Sequence, residues 1–109
     1  MLKFLLLICL FYTSTVLCNS SIGERKVVKI IFHDSGNLYV YFSGVPSHSE
    51  NCDSKAEYIL PKEHQFFSQI YSGLLAAMYS ESPVNGYVNG CIDVWSNSKT
   101  KITRIDLLP

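Results

Sequence analysis

The feature that most limits how this chain can fold lies at its start. Met1-Leu2-Lys3 is followed by an apolar run from Phe4 to Leu17 that carries no charge. A short cationic opening, an apolar stretch too short to span a bilayer and a small-residue exit describe a cleavable signal peptide, not a membrane anchor. Val16 and Cys18 suit the −3 and −1 positions of a cut before Asn19, and a cut after Ser20 or Ser21 fits nearly as well. The expected division is a signal over residues 1–18 and one domain over residues 19–109. The rival reading, a lipid anchor at Cys18, wants a small residue before the cysteine, and Leu17 is not one. No second apolar stretch is long enough to cross a membrane.

Cleavage resets the cysteine arithmetic. Of four cysteines, Cys9 and Cys18 leave with the leader, and Cys52 and Cys91 remain. Two cysteines in an exported chain imply one bridge. A loop of that length adds roughly 4 kcal/mol in the chain-entropy picture, which matters in a domain of about 90 residues with a modest core. Neither cysteine has a CxxC partner or an HxxxH pair beside it, so no zinc site is indicated and no cofactor is expected.

Charge is balanced. Without Lys3 the chain holds eight basic and nine acidic residues, with no basic stripe, so nucleic-acid binding has little support. No repeat, linker or low-complexity tract divides it.

Arg25–His33 alternates as a half-buried strand, with Val28, Ile30 and Phe32 on the inner face. Asp34-Ser35-Gly36-Asn37 is a turn cluster. Leu38–Ser43 follows as the second strand of a hairpin, with Leu38, Val40 and Phe42 inward and Tyr39 and Tyr41 outward. Gly44–Ser54 reads as an exposed loop pinned at Cys52, and Ala56–Leu60 as a short third strand. Pro61 favours a helix start, giving a helix over about Lys62–Ser80. Val84–Asn89 is a fourth strand and Lys101–Leu108 a fifth, where Ile102 and Ile105 have opposite parity and a bulge or an edge position is expected.

The helix is unusual. Phe66, Phe67, Ile70, Tyr71, Leu74, Leu75, Met78 and Tyr79 mark its apolar spacing, yet from Gln65 to Ser80 there is no charged residue. A surface helix ordinarily carries Lys and Glu on its outer face. Here that face is Gln69, Ser72, Gly73, Ala76 and Ser80. Either the helix is covered on both sides within its own domain, or these five residues form a subunit interface. The second is preferred, because so small a domain has little material left to cover it.

The resulting order, β-β-β-α-β-β, is mainly β with one helix, the connectivity of a five-stranded OB-fold-like barrel. The segment FFSQIYSGLLAAMYSESPVNGYVNGC, with Pro83-Val84 opening a strand and Tyr87 shortly after, resembles the B subunits of AB5 toxins of the subtilase-cytotoxin and typhoid-toxin type. The resemblance spans about Val27 to Trp95. It implies an OB-fold, a homopentameric ring whose helices line a central pore, a glycan ligand on the outer rim and an enzymatic A subunit as partner. The chain departs from those subunits in being shorter and in lacking their long C-terminal segment with its extra disulfide. Their sugar-contacting residues have no matched positions here.

Sugar sites pair an aromatic platform with Asn, Ser or charged hydrogen-bonders. Tyr39, Tyr41 and Ser43, with Asn37, form one candidate set, and Tyr87, Asn89 and Trp95, with Asn97, form another. The plainer account is that tyrosines are good strand formers and that Trp95 fills the end of a barrel. His33, Lys29, His48 and His64 suggest acid–base hydrolysis only superficially, since no acid is placed to orient them. His33-Asp34 is a weaker metal pair still, and Asn19-Ser20-Ser21 fits a glycosylation pattern that a bacterial source would make a chance match. The expectation is therefore a secreted or periplasmic non-enzymatic protein. It is either an oligomeric glycan-binding subunit or a monomeric protein-binding or inhibitor module.

Overall fold

The computed structural model describes residues 20–94 and 97–109; the expected signal segment and Trp95 fall outside them. The described chain is mainly β with a single long helix. Its strands are β1 (Ser20–Arg25), β2 (Val27–Phe32), β3 (Leu38–Phe42), β4 (Ser54–Leu60), β5 (Val84–Val94) and β6 (Asn97–Leu107), and helix α1 (Phe67–Ser80) lies between β4 and β5. All six strands belong to one sheet of order β1-β5-β6-β4-β3-β2, with β4 and β6 parallel and every other pair antiparallel.

Six strands stand where five were expected. The addition is β1, and only Lys26 separates it from β2. The two edges of the sheet order are thus consecutive in sequence. Lys26 is fixed from both sides: its amide donates to the Ser43 hydroxyl at 2.9 Å, and its carbonyl accepts from the Ser43 amide at 2.9 Å. Arg25 holds the same corner, donating to the carbonyls of Ile22 (2.8 Å) and Ser43 (3.2 Å) and to the Ser47 hydroxyl (3.0 Å). Its guanidinium fills the space a side chain at Gly44 would need.

The core gathers Ile22, Val27, Leu38, Val40, Tyr58, Leu60, Val84, Val88 and Ile102 from the sheet with Leu74 and Ala77 from α1. Two expectations for the first hairpin change. The ladder pairs Val27 with Phe42 but Lys29 with Tyr41, so Val28 is a bulge residue. That extra residue turns Val27 inward and leaves Val28 61 % exposed. Phe32, past the bulge and opposite buried Leu38, keeps the helix side of the sheet against Tyr71 while 63 % exposed at the strand end. The bulge expected in the last strand falls at Thr103, since Tyr87 pairs with Arg104 but Val88 with Ile102. Ile102 and Ile105 consequently both reach the core despite their opposite parity.

The helix starts five residues later than the proline signal suggests. Pro61 to Phe66 instead forms two successive turns, closed by His64 N–H to Pro61 carbonyl and Phe67 N–H to His64 carbonyl, each 3.0 Å. The His64 ring fixes this arrangement. Its Nδ1 accepts the Phe66 amide at 3.0 Å and its Nε2 bonds to the Thr103 carbonyl at 2.8 Å. The Gly44–Ser54 loop is also less exposed than its composition suggests, because His48 and Cys52 are both buried. The His48 ring takes up the Glu50 amide and the Lys55 carbonyl, each at 3.2 Å, and packs edge-on to Tyr58.

Cys52 and Cys91 form the expected disulfide, with Cα atoms 5.7 Å apart. Beside it, the Asp53 amide donates to Ser98 Oγ (2.9 Å) and the Ser98 amide donates to Asp53 Oδ2 (2.8 Å). A structural disulfide belongs to an oxidising, non-cytoplasmic compartment. Among the described residues no helix is long and apolar enough to cross a membrane.

Candidate functional site

Strand pairing, more than sequence proximity, assembles the polar groups on the outer sheet face. Lys29 on β2 stands opposite Tyr41 on β3. The Lys29 ammonium lies 5.3 Å from the centre of the Tyr41 ring, within cation–π range. The Tyr41 phenol lies near Glu57 on β4, whose carboxylate pairs with Lys99 on β6 at 2.9 Å. Burial, followed by the neighbouring Glu57 carboxylate, pushes the Tyr41 phenol up to about 12. The Glu57 carboxyl is held below its ordinary value, chiefly by the Lys99 hydrogen bond. The row therefore reads cation, phenol, carboxylate, cation across four strands.

Tyr39 belongs to the same face but not to its open surface. It is buried because the His33 ring stacks on it, with centroids 4.8 Å apart and planes within 7°, and because the Lys99 ammonium lies 5.9 Å from its ring centre. The Tyr39 hydroxyl is buried without a hydrogen-bond partner among the described residues. Ser43 is committed to the Lys26 corner. Asn37 accepts the Lys62 amide at 2.9 Å. Of the first candidate set, Tyr41 is half-buried beside Lys29 and Glu57.

Tyr87 lies elsewhere on the outer face. The Arg104 guanidinium stacks over its ring at 4.7 Å and grips Asp106 through Nε (2.8 Å) and Nη2 (3.1 Å). Asn85 accepts from Ser21 at 3.1 Å nearby on the same strand. Asn89 sits in the irregular stretch where the β5–β6 register shifts between Val88 and Cys91. The two candidate sets do not merge, because β4 and β6 stand between β3 and β5 in the sheet. Nor do the three histidines converge: His33 lies by the hairpin turn, bonded to Ser35 (2.9 Å) and close to Asp34 (3.2 Å), while His48 and His64 are tied to backbone groups in separate loops.

The five helix residues divide. Ser72, Ala76, Gln69 and Ser80 are exposed, as are Ser68 and Tyr79. Gly73 is buried, and a side chain there would meet Leu107 at 3.1 Å, so its smallness serves packing against β6. Ser80 bonds back to the Ala76 carbonyl at 2.7 Å.

Between α1 and the end of β6 runs a groove of about 760 Å³, floored by Ile70, Gly73, Ile105 and Leu107 and rimmed by Glu63, His64, Gln69 and Arg104. Sequence reasoning missed this groove, and with it Glu57, Lys99, Arg104 and Asp106. The Arg104–Asp106 spacing, two apart on one strand face, was the available signal. Glu57 and Lys99 depend on register and had none.

No protein-family model matches the chain, and no curated protein matches it.

Proposed function

We propose that this chain is an exported, non-enzymatic binding subunit that assembles with copies of itself and recognises a cell-surface glycan. The carrying observation is α1. One of its sides supplies Leu74 and Ala77 to the core, while Ser68, Gln69, Ser72, Ala76 and Ser80 form an exposed side without a single charge. Uncharged faces of small residues suit close approach of a second backbone. The row of Lys29, Tyr41, Glu57 and Lys99 offers a hydroxyl-rich ligand an aromatic ring flanked by donors and acceptors.

The barrel reading also belongs to this proposal. Taken as one strand bent at Lys26, β1 and β2 would join the two ends of the sheet, leaving a closed five-stranded barrel with a parallel third–fifth pair. That is the OB-fold arrangement, and the toxin-subunit resemblance adds a pentameric ring and an enzymatic partner.

Size-exclusion chromatography with light scattering, paired with a glycan array, tests it. The expected result is a multimer that binds glycan, and Ala76→Glu should dissociate it without unfolding the protomer. A wild-type monomer silent on the array would end this reading. The second reading, a protein-binding module, draws on the groove beside α1.

A further inference from the structure

Strand β6 loses a neighbour partway along. β4 pairs with it through Ser54–Lys99, Tyr58–Thr100 and Ile59–Lys101, and β4 ends at Leu60, whereas β6 runs on to Leu107. From Arg104 to Leu107 β6 is laddered to β5 alone.

Parity tells which backbone groups face the open side. The Leu108 amide donates to the Pro83 carbonyl at 3.3 Å. Counting back by twos, Asn85–Asp106 and Tyr87–Arg104 are the pairs that exchange hydrogen bonds, and Val84–Leu107 and Gly86–Ile105 are those that do not. The amide and carbonyl groups of Ile105 and Leu107 therefore point away from β5. The Thr103 carbonyl, of the same parity, is the one His64 reaches from that side. It gives an independent check on the direction.

The open edge faces the groove. Phe66, 50 % exposed, and Leu107, 58 % exposed, line it together with Ile70. Bare strand edges are ordinarily shielded by charge, proline or a covering element, because they template pairing with another chain. Here the covering element is the start of α1, and it stands off by the width of the groove. The charge in the groove is also one-sided. Arg104 is neutralised by Asp106, whereas Glu63 on the rim makes no ion pair among the described residues.

We propose that the α1–β6 groove takes an extended segment of a partner protein, which adds as a strand to the Ile105–Leu107 edge and sets a basic side chain beside Glu63. Main-chain hydrogen bonds would supply affinity, and alternate side chains packing on Phe66, Ile70 and Leu107 would supply selectivity. The chain's own basic, apolar strand is already engaged: β2 is laddered to β3, and Phe32 packs edge-on against Tyr71 of α1 with centroids 5.6 Å apart. This inference does not depend on glycan binding or on assembly through the exposed helix face.

Hydrogen exchange read by NMR on the intact oxidised protein tests it, with the blocked peptide acetyl-Lys-Val-Thr-Val-Ser-Val-Thr-amide as probe. In the free protein the Ile105 and Leu107 amides should exchange fast while those of Arg104 and Asp106 are protected. Millimolar peptide should slow Ile105 and Leu107 roughly tenfold, the effect of one added hydrogen bond or two. Two further peptides, N-methylated at odd or at even residues, should separate, one binding and the other not. Glu63→Gln should weaken binding by about threefold, as for an exposed ion pair.

Three results would overturn the proposal. One is no protection at millimolar peptide. Another is equal binding of both methylated peptides, which means apolar docking without strand addition. The third is protection that rises with protein concentration in the absence of peptide, which assigns the edge to a second copy.

Discussion

Replacing both Cys52 and Cys91 by serine should lower stability substantially while leaving the native structure in place. The bridge joins residues separated by 39 positions. The loop-entropy relation for that length gives about 4 kcal/mol, set against roughly 5–15 kcal/mol for a whole domain. The native geometry has its own hold on the same corner. The reciprocal Asp53–Ser98 pair joins the start of β4 to the start of β6 whether or not the sulfurs are linked. The loss should therefore come through the unfolded chain, freed of its cross-link. Cys52 is buried and Cys91 exposed, so a serine hydroxyl adds a small burial cost at one end only. Urea denaturation followed by circular dichroism checks this. With a slope of about 1–3 kcal/mol per molar, the midpoint should fall by roughly 1.3–4 M at an unchanged native spectrum. A loss below about 1 kcal/mol would refute the entropic argument. A native spectrum altered before any urea is added would show instead that the bridge shapes the folded state.

Gly86→Ala should destabilise by about 1–3 kcal/mol, because its new Cβ would lie 2.8 Å from Ile22 Cδ1 and 3.3 Å from Ile105 Cδ1. Thermal melts of Gly86→Ala and Gly90→Ala should separate crowding from backbone strain, since Gly90 has open space around it but a φ of +80°. Glu57→Gln should bring the Tyr41 phenol down from about 12, seen as phenolate absorbance at lower pH, while the part of the shift caused by burial remains. Glu57 also gives a pH dependence of definite sign. Its folded carboxyl ionises at lower pH than the unfolded one, so its stabilisation is whole above about 4.3 and drains away as pH falls through the folded value. The stability gap between wild type and Glu57→Gln should close in acid, and a gap that stays constant would dismiss the ion pair as its source.

Much of the fold was legible because local signals agreed with one another. The hairpin turn, the uncharged helix and the lone cysteine pair each rest on neighbouring residues or on simple counting. What escaped depended on pairing. The alternation puts Val28 inward, and the bulge in β2 turns it out. Pro61 looked like a helix start, yet the His64 ring, reaching Thr103 across the fold, holds that stretch as turns. Tyr39 lies on the expected face, but it is buried there by the His33 ring, which stacks on it from across the hairpin turn. The Glu57–Lys99 pair depends on two strands running parallel in a particular register, which no local pattern announces.

The pairing of β1 with β5 bears on when the protein can fold. Arg25 stands against Val84 and Ser20 against Val88, more than half the chain away. A polypeptide threaded through a membrane channel from its N-terminus presents this opening strand first and its receiving strand almost last. The β2–β3 hairpin can form early, but Ile22 stays in water until β5 and β6 have emerged. Contacts so distant in sequence make folding slow. Under the export proposed above, that delay keeps the polypeptide loose while it is still being drawn across.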